Sequence, residues 1–237
     1  MAHGTNNRVL CALDITTRDA VTRHCEDVTL EAGAVLQRSG EATHAVYFPE
    51  TAVISAIATY SDGSGIEMAN IGREASTAVN LMLGQSRHFH TDEVQIAGAA
   101  LRLSAERFVQ LKSEHEAFER VLFASAQSVF YQVMISGACN GAHSARQRLA
   151  RWLLTMADRI DGSEMRLTHD FLAEMLGVRR ATVTEAAQDL QENGLISYRR
   201  GRVRITDRTG LTNASCECYN LVRAANRELL PEIDRDA

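Results

Sequence analysis

The pattern of apolar and polar positions divides the chain into an alternating front half and a back half with helical spacing. Seven short apolar or β-branched runs, at 28–30, 34–37, 45–48, 53–60, 66–71, 94–98 and 100–103, are interrupted at Gly33, Ser39-Gly40, Pro49-Glu50, Asp62-Gly63 and Gly72. Short strands at this spacing predict a β-sandwich or barrel, here a jelly-roll. Between them, residues 73–83 predict a short helix and 84–91 a polar loop rich in histidine. Residues 1–10 read as a loose end. Residues 14–25 read as a short helix capped by Thr16 or Thr17, with Asp19 near its positive end.

After Ser104, a good N-cap, the spacing becomes helical to about Ser136. Phe118, Val121, Leu122, Ser125, Val129, Gln132, Val133 and Ser136 form one stripe. A helix laid over the β domain would show such a stripe, and so would a parallel dimer seam; we take it as the seam. Residues 137–141, with a glycine at each end, predict a break and hinge. A second amphipathic helix over 143–160 points Leu149, Trp152, Leu153 and Met156 inward and stops at Asp161-Gly162-Ser163.

The stretch 167–206 carries the most information. Thr168 can cap a helix whose apolar face is Leu172, Ala173, Leu176 and Val178. Gly177 supplies the left-handed turn. A second helix, about 179–192, turns Val183, Ala186, Ala187 and Leu190 inward and stops at Asn193-Gly194. A small residue at the crossing, Gly at the turn and Val on the second helix make a helix-turn-helix rather than a plain pair of packed helices. A hairpin turning at Arg200-Gly201, with Ile196, Val203 and Ile205 apolar, makes it winged. Residues 209–227 predict a closing helix, and Pro231 onward a frayed tail.

Charge supports this reading only when it is taken region by region. The net charge is −5, yet residues 143–210 carry 12 basic and nine acidic side chains, against 10 and 16 in residues 1–142. The local basic excess is what a nucleic-acid reader needs. Arg179, Arg180, Arg199, Arg200, Arg202 and Arg204 supply guanidiniums for phosphates or guanine edges. No apolar run approaches the ~20 residues of a membrane span, and the first residues show no signal layout. The expectation is a cytoplasmic protein with no membrane partner. Five cysteines, an odd number, read as reduced structural thiols, and Cys216-x-Cys218 is tighter than the usual zinc knuckle. We expect no cofactor and no metal. No nucleophile–base pair, phosphate loop or paired carboxylates stand at useful spacing, so an enzyme is not expected.

A β-roll, a long helix and a winged helix-turn-helix, in this order, resemble the Crp/Fnr family of transcription regulators. The resemblance rests on RQRLARWLL (146–154), LTHDFLAEMLGVRRATVTEAAQDLQENGLI (167–196) and the wing. It is weaker at Gly33, Ser39-Gly40-Glu41, Val46-Tyr47-Phe48 and Ile71-Gly72-Arg73-Glu74. It implies an α+β fold: a cyclic-nucleotide-binding-like jelly-roll sensor domain over 1–104, a dimerisation helix and hinge over 105–140, a winged helix-turn-helix over 141–210, and a C-terminal helix and tail over 211–237. It also implies a homodimer on a palindromic operator in double-stranded DNA, with RNA polymerase as a partner. Arg180 matches the family's base-reading arginine. Thr168, His169 and Thr182 match backbone contacts. Ala181 stands where Glu is common, Glu185 where some members have a third reader, and Arg179 is additional, so the operator should differ from the best-known one.

The resemblance places an effector site at Gly72, Arg73, Glu74 and Arg87, with Ser128 and Gln132 reaching in from the long helix. Cyclic-nucleotide binders of the family use a Gly-Glu pair and an Arg-Ser or Arg-Thr pair. Here Arg73 is interposed and Arg87 is followed by His88-Phe89-His90. Any effector is therefore expected to be something other than cyclic AMP. His88 and His90, with His44, stand as alternative metal ligands against a plain exposed loop, and Cys139 as a redox sensor against a plain buried thiol. The alternative function is a small-molecule or metal sensor acting through protein–protein contacts.

Overall fold

Alternation and glycine breaks in the front half produce seven strands: β1 (Glu26–Leu30), β2 (Val35–Gln37), β3 (Ala45–Pro49), β4 (Val53–Thr59), β5 (Gly65–Ile71), β6 (Thr91–Ile96) and β7 (Gly98–Ser104). In this computed structural model, which describes residues 4–160 and 164–230, they form two antiparallel sheets, β1-β7-β3 and β2-β6-β4-β5. Strand period explains the packing. Ala100 of β7 faces Ile54, Ile71 and Val94 of the second sheet, while Leu101 and Leu103 face the helices on the other side. The jelly-roll-like β domain expected from the pattern is present.

Three expectations for this half are corrected. Described from residue 4, the N-terminal end is tied down: Asn7 is fully buried and its Nδ2 donates to Pro49 O and Ala75 O, both at 2.9 Å. It also caps α1 (Arg8–Cys11), whose Val9 and Leu10 enter the core. The next helix, α2 (Ile15–Thr22), is capped by Asp14 rather than by Thr16 or Thr17, because the Asp14 carboxylate accepts from Thr17 N at 3.0 Å. Residues 73–83 yield only α3 (Val79–Met82). Thr77 is engaged with Tyr47 of β3 through both its amide and its hydroxyl, and Ala78 takes a left-handed φ of 63°, so the helix cannot start earlier.

After α4 (Ala105–Glu114), capped by Ser104, the chain bends at His115 and enters α5 (Glu116–Ala142), 27 residues long. No hinge interrupts it at 137–141. Gly137 and Gly141 are in open space, so a helical glycine there costs only about 1 kcal/mol of propensity, and Cys139 between them is buried. The chain leaves the helix at His143 instead. The stripe assigned to a dimer seam is also corrected: Phe118 and Leu122 are fully buried in this chain's own β-roll core, and Ser125 and Gln132 are buried too. The opposite face exposes Phe123, Phe130 and Met134. By length and composition alone α5 could cross a membrane, but its inner face is a core-packing face.

The back half follows its spacing closely. α6 (Ala145–Ala157) opens on a capping box between Ser144 and Gln147 and buries Leu149, Trp152, Leu153 and Met156. α7 (His169–Leu176), α8 (Arg180–Glu192), β9 (Ile196–Arg199) and β10 (Arg202–Ile205) form the winged helix-turn-helix. An unanticipated strand, β8 (Glu164–Arg166), pairs with β10. The closing helix is two helices, α9 (Arg208–Ala214) and α10 (Cys218–Leu229), with the break at Ser215–Glu217. Along α10, Asn226 Oδ1 accepts from Ser128 Oγ of α5 at 2.5 Å. The expected stop at 161–163 and the tail from Pro231 lie outside the described residues.

Candidate nucleic-acid interface

Local chemistry builds the reading head. Thr168 Oγ1 accepts from Phe171 N at 3.1 Å and starts α7. Gly177 closes it with φ 60°, a left-handed backbone that a side chain would strain. The buried Arg148 of α6 donates to Leu176 O and fixes the end of α7. Arg179 is then the N-cap of α8, and Val183, Ala186, Ala187 and Leu190 seat the helix in the core. That seating leaves Arg180, Ala181, Thr184, Glu185 and Gln188 exposed on one face.

The structure places the expected DNA contacts unevenly. Arg179, Arg180 and Glu185 stand exposed on or beside α8, while Thr182 is half-buried. Arg180 Nε lies 3.2 Å from Asp170 Oδ1, and both side chains are about two-thirds exposed (66% and 72%), so the pair is weak and exchangeable. His169 is occupied inside the protein. Its ring stacks on Tyr198 of β9 at 4.7 Å, and its Nδ1 is 2.9 Å from Thr184 Oγ1. Burial, assisted by the Arg180 charge, holds the His169 imidazole below its ordinary pKa. His169 thus ties the start of α7 to α8 and to the wing. Thr184 and Asp170, which carry these links, were not singled out from the sequence, although Thr184 follows Arg180 by one helical turn.

At the wing, Arg200 (φ 49°) and Gly201 (φ 71°) form the two-residue loop between β9 and β10, and the twist of a tight hairpin requires this left-handed pair. Arg199 and Arg200 are exposed at its tip. Arg202 Nη1 is held by Glu164 Oε1 of β8 at 2.7 Å, still half exposed.

Of the expected effector residues, Gly72, Arg73, Glu74 and Gln132 meet around Arg159, and Arg73, Glu74 and Gln132 also line a cavity there, whereas Arg87 stands apart. Gly72 has no room for a side chain, because a Cβ there would meet Arg159 Cδ at 2.6 Å. Glu74 Oε1 pairs with Arg159 Nη2 at 2.7 Å, and Arg73 Nε donates to Arg159 O at 3.1 Å. Gln132 Oε1 accepts from Arg159 Nη2 at 3.1 Å, while its Nε2 donates to Asn70 Oδ1 at 3.0 Å. Ser128 is spent on Asn226. Arg87 is exposed near Gly40, apart from this network. Gly72, Arg73, Glu74 and Gln132 therefore bind the arginine just beyond α6, joining the β-roll to the helix-turn-helix unit. Beside this junction lies a cavity of 390 Å³ lined by Arg8, Arg73, Arg151, Arg159, Arg208 and Arg223, with Glu74 and Asp158 as its acidic residues.

The loop at 84–91 is largely exposed, but its histidines turn inward. His88 is fully buried, its Nε2 3.2 Å from Asp92 Oδ2, and His90 Nε2 is 3.1 Å from Asp92 Oδ1. Burial would raise the Asp92 pKa, but hydrogen bonds from the two imidazoles hold it below the ordinary value. His44 is exposed and does not join them.

The fold sets a winged helix-turn-helix with an arginine-led outer face against a β-roll and a long helix. Residues 147–214 match the Crp-like helix-turn-helix domain, and the chain has the fold of the Crp/Fnr regulators. It is similar to FixK2 of Bradyrhizobium japonicum, with 17% identity and a TM-score of 0.68 over 81% of this chain and 98% of that one. A CRP-family transcriptional regulator of Thermus thermophilus is 19% identical, with a TM-score of 0.66 over 79% and 96%. The c-di-GMP-responsive global regulator CLP of Xanthomonas campestris is 15% identical, with a TM-score of 0.66 over 81% and 99%. No curated protein matches by sequence.

Proposed function

We propose that the protein is a homodimeric, sequence-specific transcription regulator, not an enzyme, that reads a palindromic operator through α8 and contacts the flanking backbone through its wing. The observation that carries this is the exposed Arg179-Arg180 start of α8, beside an arginine wing, within the Crp-like domain match. An arginine fork suits the two acceptors of guanine. Thr168, Thr182, Arg199, Arg200 and Arg202 supply backbone contacts, Glu185 faces the groove further along α8, and His169 acts by positioning. Selection from random duplexes should recover a two-fold symmetric site, bound with a steep salt dependence. Binding without sequence preference overturns the reading.

Two copies join through the outer face of α5. Phe123, Gln127, Phe130, Met134, Gly137 and Gly141 recur at alternating steps of four and three, the period of a two-helix seam, and all six are exposed in the single chain. The arginine-lined cavity suits an anionic effector other than cyclic AMP, since the Gly72–Glu74 segment is committed to Arg159. RNA polymerase is the partner of the DNA-bound dimer in this reading.

A further inference from the structure

Four side chains that DNA reading leaves unexplained meet at one point. Cys139 lies in the last turns of α5, and His143 follows it by one helical turn as the helix C-cap. Cys216 lies in the α9–α10 break and Cys218 opens α10, 77 and 79 residues along from Cys139. The three sulfurs and one ring nitrogen all lie within 4.8 Å of one another. Cys139 Sγ is 3.5 Å from Cys216 Sγ, and Cys218 Sγ is 3.6 Å from His143 Nδ1. The cysteines are 0%, 2% and 5% exposed, and His143 closes the outer side.

We propose that Cys139, His143, Cys216 and Cys218 bind one Zn²⁺ ion, which staples the C-terminal end of α5 to the α9–α10 corner beside the DNA-binding unit. Tetrahedral zinc with thiolate ligands at about 2.3 Å sets its ligand atoms about 3.8 Å apart, against 3.5 and 3.6 Å for the Cys139–Cys216 and Cys218–His143 pairs and a limit of 4.8 Å for all four atoms. Three thiolates and an imidazole are a closed, four-ligand structural set with soft donors. An iron–sulfur cluster needs its ligands spread around a larger body and usually takes four thiolates. The charge also fits. Three thiolates around a divalent ion leave one negative charge, and the Arg151 guanidinium acts on Cys139 from α6. Cys216-x-Cys218 is too tight for a knuckle alone, but here it supplies two ligands of a site completed by α5.

The test is metal analysis of the full-length protein, purified under reducing conditions without chelator. One zinc per protomer is expected, retained in Cys11→Ala and Cys25→Ala and lost in Cys216→Ala. In case Cys216→Ala does not fold, the stripped wild-type chain is titrated with Co²⁺. A thiolate-to-cobalt charge-transfer band, with the intense visible bands of tetrahedral cobalt, should saturate at one equivalent and be abolished by Zn²⁺. Zinc content near zero with no such bands, zinc retained in a folded Cys216→Ala, iron with sulfide in place of zinc, or a Cys139–Cys216 disulfide in the freshly isolated reduced protein would each overturn the proposal.

Discussion

Arg180 and His169 show how one side chain reaches outward only because another is held inward. Arg180 is two-thirds exposed and tied only to the equally exposed Asp170, so it can leave that partner for a base at little cost. Arg180→Ala should lower affinity for the operator by about 1–3 kcal/mol and relax preference at one position per half-site. Binding to a panel of single-base operator variants checks this. Equal weakening on every duplex would make Arg180 a phosphate contact. The same substitution has a second readout. Burial and then the Arg180 charge depress the His169 pKa, so removing the charge should move its NMR titration midpoint back toward the ordinary value. Because the folded-state value lies below the unfolded one, the unfolded chain takes up this proton first as pH falls. The stability His169 contributes is therefore present above its ordinary value and lost as pH falls through its folded value. A midpoint unmoved by Arg180→Ala would assign the depression to burial alone.

At the scale of elements, α5 carries the argument for assembly. Phe130 is 63% exposed and makes no part of the chain's own core. Phe130→Glu should leave the monomer's stability within about 0.5 kcal/mol of the wild type. It should still turn the dimer into a monomer in sedimentation and weaken operator binding, because each copy then holds one half-site alone. A variant that remains dimeric refutes the seam. The helix also shows what the sequence could and could not disclose. Helix-turn-helix spacing was legible because its determinants are local: the Thr168 cap, the Gly177 turn, and Val183 and Leu190 two turns apart on one face. In α5 apolar residues run on both sides, and period alone cannot say which side meets the chain's own roll and which a second copy. The 137–141 glycines read as a break because propensity disfavours them, yet burial of Cys139 overrides that. Elements fixed at long range left no local mark. α1 depends on Asn7 reaching Pro49 and Ala75, and His88 is buried by a strand aspartate rather than exposed in its loop.

In the whole molecule two of the devices that join the DNA-binding unit to the rest each have their own signature. The first is Arg159, 4% exposed, which fills the space above Gly72 and pairs with Glu74 and Gln132. Arg159→Met keeps the aliphatic stem but removes the guanidinium, and leaves the largely buried Glu74 without its partner. A loss of about 3–5 kcal/mol in urea unfolding is expected, and a loss under about 1 kcal/mol would mean that water replaces the guanidinium there. Gly72, Arg73, Glu74 and Gln132, expected as effector residues, pack on or bond to an arginine of the same chain, 86 residues from Arg73, which no local pattern discloses.

The second device is the Cys₃His site, and it acts through a ligand rather than a side chain. An ion that binds the folded chain and has little affinity for the unfolded one adds stability that grows with the logarithm of its free concentration over its dissociation constant. Chelation of the reduced wild-type protein should therefore lower Tm by several degrees, since about 1 kcal/mol shifts Tm by roughly 2–4 °C at this size. Added Zn²⁺ should restore it. The effect should reach DNA, because Cys216 and Cys218 sit at the corner that follows β10 and α9, whereas Cys139 and His143 sit at the end of α5, the helix proposed to pair two copies and so to set the spacing of two half-sites. Stripped protein should bind a palindromic operator less tightly while binding an isolated half-site unchanged. Equal loss on both would place the metal's effect within the reading head, and no change in Tm on chelation would leave the junction to Arg159 and the α5–α10 packing alone.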